Sequence, residues 1–371
     1  MKVLLVATVQ SHIAQFHKPL MKLLKEHGWE VHVAARDNLA EKDGLQLEYP
    51  DQVFNIPFCR SPFDPENLEA YRQLKRLTKQ EHYDVVHCNT PVGGLLTRLA
   101  ARAYRRQGTK VYYTAHGFHF YQGAPKKNWL IYYPIEKWLS RFTDKLITIT
   151  EEDYQLAKAR FHCPIFRIHG VGANSEKYHP ISTEEQERQK AELGLSGRIL
   201  INVGELLPNK NQATAIRVVN ELLPQFPDIH LLIAGNGPER DNLDQLVCDL
   251  GLSDHVALLG YTTQLEKYLQ VCDLLLACSY REGLPLNVME AMLCGKPVVA
   301  SNNRGHRELI HDDVNGFLVD VDDINGYTEM ISKLFQLVSM SQETIRSSAK
   351  AYDKYSVEKE LIDIYGLNRE G

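Results

Sequence analysis

Short apolar runs alternate with helical patterns along nearly the whole chain, and the alternation stops once and starts again. Runs at residues 2–7, 31–35, 84–87, 110–114, 145–149 and 165–168 read as buried strands. Helical patterns at 13–27, 66–82, 91–107, 128–142 and 151–161 lie between or after them. Residues 169–181 then turn Gly-rich and polar, with Pro180 near their end, which marks a linker. Beyond it strands are expected at 198–203, 229–234, 256–259, 273–278, 298–300 and 317–319. They are interleaved with helices at 211–226, 239–250 and 263–271 and with one after Pro285. Further helices start near Ile324 and Gln342, and a last one covers 357–367. Repeated strand–helix–strand units dictate parallel sheets covered on both faces. With 371 residues the chain is too long for one typical core. The expectation is α/β: two doubly wound halves with a ligand cleft at the carboxyl ends of their strands.

Composition narrows the class. Charged residues make up 24% and apolar ones 44%, as in a soluble globular protein. Cysteines stand at 59, 88, 163, 248, 272, 278 and 294, an odd number with no C-x-x-C pair. That argues against a disulfide framework or zinc ribbon and for a reducing cytosol. The apolar run at 3–9 reads as a strand, not a signal peptide, and no segment reaches bilayer-spanning length. Residues 1–170 carry 24 Lys and Arg against 17 Asp and Glu, a surplus of +7. The remainder carries 18 against 30, a balance of −12, and together they give the net −5. A basic half suits an anionic partner, such as a membrane surface or a phosphorylated ligand, although modest imbalance between domains is common.

Five strand ends carry candidate chemistry, and the strongest lies at residues 281–297. There Glu282 and Glu290 stand with seven residues between them, beginning Gly283-Leu284-Pro285-Leu286. Pro285 suits the first helical turn and Gly295 the helix end, so an anion can dock at the helix start. The plainer reading is a βαβ unit whose acids face solvent. At residues 203–212, Asn209 is expected to cap a helix beside Lys210, a phosphate ligand or a solvated surface lysine. Ala234-Gly235-Asn236-Gly237-Pro238 is a tight turn or a place where a flat base approaches backbone. Arg240 breaks the dinucleotide fingerprint. In the first half, His116-Gly117 and Asn89-Thr90-Pro91 end two strands on one rim. Nearby, Lys126-Lys127-Asn128-Trp129 through Tyr133 suits a membrane interface, or a helix that packs its rings inward. Asp312-Asp313 reads as a turn. No hydrolase elbow, zinc helix or deaminase signature is present.

In this order the elements resemble the retaining glycosyltransferases of family 4. The resemblance rests on Gly204 to Lys210, Gly235 to Pro238, Gly260-Tyr261, Glu282, Glu290, Gly295-Lys296-Pro297-Val298-Val299 and Asn315-Gly316-Phe317-Leu318-Val319. Phe16-His17-Lys18-Pro19, Thr114 to Phe118 and Tyr133 to Lys137 are similar to bacterial capsule and exopolysaccharide enzymes of that family. It implies a GT-B fold, two Rossmann-like doubly wound domains facing a central cleft. Residues 1–168 would bind acceptor, 169–182 link, 183–355 bind donor, and helix 356–371 cross back onto the first domain. It further implies transfer from a UDP-sugar to an undecaprenyl-diphosphate-linked saccharide at the cytoplasmic membrane face, with no metal, no cofactor and no nucleic-acid partner. Lys210 would meet the diphosphate, with Gly283 and Leu284 N–H groups and the Leu286 helix start beside it. Glu282 and His116 would meet the donor sugar, Glu290 the ribose, and Gly235, Asn236, Gly237, Pro238 and Tyr261 the base. Gln10, His12 and Asn89 would lie on the acceptor side.

The chain departs from the family pattern in three places: Glu205 where arginine is common, Thr8-Val9-Gln10-Ser11 in place of a glycine-rich loop, and Gly172-Ala173 after Gly170-Val171. Arg304 or Arg307 is a candidate to replace the missing charge. A UDP-sugar epimerase of the same fold and a non-catalytic nucleotide-sugar-binding subunit are the rival readings.

Overall fold

A computed structural model describes residues 1–41, 45–336 and 340–367. The chain divides into two units. The first is Met1–Val171 with Val357–Gly371, and the second is Gly172–Ser356. The first is built on strands β1 (Lys2–Val9), β2 (Glu30–Arg36), β3 (Gln52–Asn55), β4 (Val85–Asn89), β5 (Lys110–Ala115), β6 (Lys145–Thr148) and β7 (Ile165–Arg167). They pair in the order β3-β2-β1-β4-β5-β6-β7, every pair parallel. The second holds β8 (Arg198–Val203), β9 (Ile229–Ala234), β10 (Val256–Gly260), β11 (Leu274–Ala277), β12 (Val298–Ser301) and β13 (Gly316–Val319). Their order is β10-β9-β8-β11-β12-β13, again parallel throughout.

Central strands are apolar because helices cover both faces. Val3, Leu4, Leu5, Val6 and Ala7 of β1 have no exposed surface, nor have Leu274, Leu275 and Leu276 of β11. Each larger aliphatic chain contributes roughly 1.5–3 kcal/mol by leaving water. In each sheet the order reverses once, between β1 and β4 and between β8 and β11. At such a switch point neighbouring crossovers leave in opposite directions, and a crevice opens at the carboxyl ends.

Several elements differ from expectation. The helix expected at 13–27 is two, Gln10–Phe16 and Lys18–Glu26, broken at His17 because Pro19 can occupy only a first turn. The patterns at 91–107 and 128–142 each end in a short 3₁₀ turn, at Tyr104–Gln107 and Ser140–Phe142. Strand β3 was not expected: a half-exposed edge strand has no apolar run to reveal it. Helix Thr183–Glu192, capped by the Ser182 side chain, follows the linker and is almost wholly polar. The last helix, Lys354–Tyr365, buries Val357, Leu361, Ile364 and Tyr365. Its Tyr365 hydroxyl lies 2.6 Å from His87 Nδ1, and Glu360 holds His169 at 2.5 Å, so this part of the chain completes the first unit.

Candidate active site

At the second switch point the loops after β8 and β11 meet. Lys210, at the end of the turn Pro208–Lys210, places Nζ 2.6 Å from Glu282 Oε1. The side chains are 24% and 13% exposed, so the pair is open to solvent on one side. Tyr280 N–H donates to the Asn209 carbonyl, and the Asn209 amide donates to the Arg281 carbonyl, which laces the two loops together. The cap of helix Gln212–Leu222 is therefore not Asn209 but Asn211, held at φ +54. Asparagine tolerates this region better than most residues.

Helix Leu286–Leu293 begins after Pro285, which is extended at φ −77 and ψ 116 instead of occupying the first turn. The Asn287 amide donates to the Val203 carbonyl, fastening this helix to the end of β8. Residues Val288 to Leu293 are all buried, Glu290 included. The reading that both acids face solvent is thus overturned for Glu290, which is 8% exposed. Burial raises its carboxyl to about 7, against a hydrogen bond from Tyr178 that favours ionisation. Glu282 is also approached by helix Arg304–Leu309. A Cβ on Gly305 would lie 2.7 Å from the Gly283 carbonyl oxygen and 2.8 Å from Glu282 Cβ.

Arg304 is the half-buried first residue of that helix, while exposed Arg307 donates to Asn302. Next to them sits buried His306, a residue the sequence reading missed, whose Nδ1 is 2.8 Å from the Ser301 carbonyl oxygen. Its signal was available: Asn303, after a strand, caps the helix by accepting from His306 N–H. Glu205, where arginine is common in the family, is exposed.

The glycine turn after β9 has a backbone reason. A Cβ on Gly235 would lie 1.9 Å from the Gly204 carbonyl oxygen, and one on Gly237 2.3 Å from that of Leu206. Leu206 N–H donates to Asn236 and Gly235 N–H to Gly260, locking the ends of β8, β9 and β10 together. Asn236, Pro238 and Tyr261 are left exposed, Tyr261 at 69%. Leu284 and Leu286 pack, half-buried, against the core under this face.

At the first switch point the chemistry is different. Gln10, buried, starts helix Gln10–Phe16, and one turn in, His12 Nε2 lies 3.3 Å from His116 Nε2. His116 Nε2 is also 3.3 Å from Asn89 Oδ1, so the two residues expected on one rim converge, and His12, expected on the acceptor side, joins them. The next residue, Thr90, takes φ +64, a strained position for a β-branched residue. Its hydroxyl sits 2.7 Å from that of Thr8, across the switch. His17 and His87 complete the cluster and were not singled out from the residues alone. Burial holds all four rings below the ordinary imidazole range, His116 to about 4 and His87 to about 3. They are therefore neutral at pH 7.

The aromatic run divides. Trp129, Tyr132 and Tyr133 pack against the core, and Trp129 Nε1 donates to the Tyr121 carbonyl. The exposed large apolar residues of helix Lys126–Leu139 are others: Leu130 at 78%, Ile131, Ile135 and Trp138. Asp312 accepts from Leu318 N–H and Asp313 pairs with Lys333, at a turn as read. All seven cysteines are free, and among the described residues no helix is long and apolar enough to cross a membrane.

Comparison with known proteins agrees with this architecture. Residues 183–351 match the family model described as glycosyl transferases group 1, and residues 2–150 the one described as glycosyl transferase 4-like. A Bacillus subtilis (strain 168) protein that bears the glycosyltransferase name EpsD is 45% identical, over 98% of this chain and 96% of its own. The Escherichia coli UDP-Gal:alpha-D-GlcNAc-diphosphoundecaprenol alpha-1,3-galactosyltransferase is 28% identical over 80% of this chain and 79% of its own. The crystal structure of Anabaena HepE in complex with UDP and glucose superposes with a TM-score of 0.78 at 20% identity, covering 99% of both chains. At that identity the likeness shows the fold, which is the GT-B glycosyltransferase fold.

Proposed function

The chain belongs to the glycosyltransferases with group 1 and 4-like domains, and from that premise we propose that it transfers a sugar, with retention of configuration, from a UDP-sugar to an undecaprenyl-diphosphate-linked saccharide in exopolysaccharide or capsule assembly. The observation that carries the reading is the 2.6 Å contact of Lys210 with Glu282 at the switch point, beside a helix that holds Glu290 in a buried position. A cation at this crevice suits the diphosphate leaving group, whose charge grows as the glycosidic bond to the donor breaks. Glu282, next to it, would then accept hydrogen bonds from donor sugar hydroxyls, with the Gly283 and Leu284 N–H groups turned to phosphate. Glu290, once ionised, suits two ribose hydroxyls, since a carboxylate accepts only. Asn236, Pro238 and Tyr261 would border the base, and neutral His116 the sugar. Arg304 is the candidate for the charge that Glu205 lacks. This chemistry asks for no metal or cofactor.

The acceptor class is supported by the Escherichia coli relative, whose name specifies a diphosphoundecaprenol-linked sugar. A place on the inner face of the plasma membrane is supported by helix Lys126–Leu139. Residues 101–150 carry 9 Lys and Arg against 2 acids, and both acids are engaged, Glu136 by Arg98 and Asp144 by Arg105. A basic surface with an exposed Leu130, Ile131, Ile135 and Trp138 stripe suits anionic headgroups. Flotation with anionic liposomes should show binding that weakens with salt. No binding at low salt refutes the membrane site.

The test of function is UDP release with a panel of donors and a lipid-linked acceptor. Acceptor-dependent release supports transfer. Donor consumed without acceptor points to an epimerase, and UDP binding without turnover to a non-catalytic subunit.

A further inference from the structure

We propose that His12, His17 and His116 form a binding site for a divalent transition-metal ion, with zinc the best-matched ion. One ring nitrogen from each lies within 4.8 Å of the others. The closest pair, His12 Nε2 and His116 Nε2, is 3.3 Å apart. With zinc–nitrogen bonds of about 2.0–2.1 Å, two ligands at a tetrahedral angle sit about 3.4 Å apart. A direct N–H···N bond would explain that pair alone, but not His17. The His17 ring is buried and its Nε2 has no hydrogen-bond partner among the described residues. A buried donor or acceptor left unmade costs stability, so this nitrogen is suited to a ligand that the other two rings share.

The donor set also fits in number. His87, the fourth histidine of the cluster, is engaged at both nitrogens, by Tyr365 and by Thr114. Three imidazoles remain, which leaves one coordination position open. Beside His17 and His116 is a cavity of about 20 Å³ lined by Phe16, Pro19, Leu20, Ile149, Ile168 and Leu361 among others. That is room for one water, the natural fourth ligand. Neutral imidazole is the form that binds metal, and the rings are presented in it. The ion would tie helix Gln10–Phe16 and the His17 break to the end of β5, segments about a hundred residues apart in sequence. The inference rests on the first unit alone and stands whether or not the chain transfers sugars.

The whole chain, stripped with EDTA and dialysed, is titrated with Co²⁺, whose tetrahedral nitrogen-ligated complexes absorb in the visible, and then with Zn²⁺ in competition. One equivalent of Co²⁺ with that absorption, displaced by Zn²⁺, is expected. His17→Gln and His12→Gln should each weaken Co²⁺ at least tenfold, while far-UV dichroism and the metal-free melting temperature of His12→Gln stay at the wild-type value. His12 lies at the less buried edge of the cluster, so this variant keeps the test decisive if His17→Gln fails to fold. Absence of a stoichiometric site in the wild type overturns the proposal, as does wild-type affinity in His12→Gln.

Discussion

The two switch points share a topology and differ in their chemistry. Between β1 and β4 the crevice holds neutral imidazoles, a strained threonine and an asparagine, largely out of water. Between β8 and β11 it holds an ion pair open to solvent and a carboxyl buried near neutrality. Topology decides where a crevice opens, and the loop side chains decide what it can bind. The ion pairs differ too. Arg98 and Glu136, in the first unit, meet through two parallel bonds of 2.8 and 3.0 Å, with Arg98 fully buried over the Tyr113 ring. Lys210 and Glu282, in the second, meet through one bond and stay partly wet. The first pair is built to hold structure, and the second can be parted by a ligand.

The largest effect expected is on the first pair. Arg98→Met strands the Glu136 carboxylate in the interior and should cost about 3–5 kcal/mol in denaturant unfolding, with little change in UDP affinity. A loss below about 1 kcal/mol would erase the distinction between the pairs. Lys210→Ala should behave in the opposite way. Turnover should fall at least about 100-fold, close to 3 kcal/mol, while stability moves by less than about 1 kcal/mol. Full activity in this variant removes Lys210 from the chemistry.

Acid should separate the units. In the metal-free chain His116 and His87 ionise near 4 and 3, whereas in the unfolded chain they take up protons near 6.5. Their contribution is complete above that value and is lost as pH falls, by about 2 kcal/mol per ring at pH 5. Glu290 runs the other way. Its folded value near 7 exceeds its ordinary 4.5, so its contribution is complete below 4.5 and is lost as pH rises through 7. Hydrogen exchange at pH 7.5 and 5 should therefore show β1 and β4 losing protection before β8 and β11. Equal loss in both would break the contrast. The last effect is the most diagnostic. Glu290→Gln should raise the melting temperature at pH 8, where the wild-type carboxylate is buried and charged, by up to about 3 kcal/mol of stability, and not at pH 4. It should also weaken UDP binding.

Much of this was legible because parallel sheets of buried strands write apolar runs into the chain. Glu282 and Lys210 stood out in loops after such runs, yet nothing local joins residues 72 apart. Glu290 was misread because a helix buried on every face has no polar side on which to place a carboxylate. The glycines at 235 and 237 were noticed, but their reason, contact with Gly204 and Leu206 carbonyls, belongs to register between strands. His17 entered only through the family resemblance and His87 was not singled out, because histidine alone says little, and the cluster exists only once β1, β4 and β5 lie side by side. For Trp129 the residues alone allowed a membrane interface or an inward-packed helix, and helical phase decides for the second, leaving Leu130 out.

The segment Val357–Gly371 belongs with Met1–Val171, and Val357, Leu361, Ile364 and Tyr365 are buried there. On the ribosome, where units ordinarily form as they emerge, this reverses the timetable. The unit begun first is finished last, and the second can close before it. Until the final helix has been synthesised, His87 lacks its tyrosine and His169 its glutamate. A truncated translation product would therefore carry a second unit that is whole and a first unit that is not.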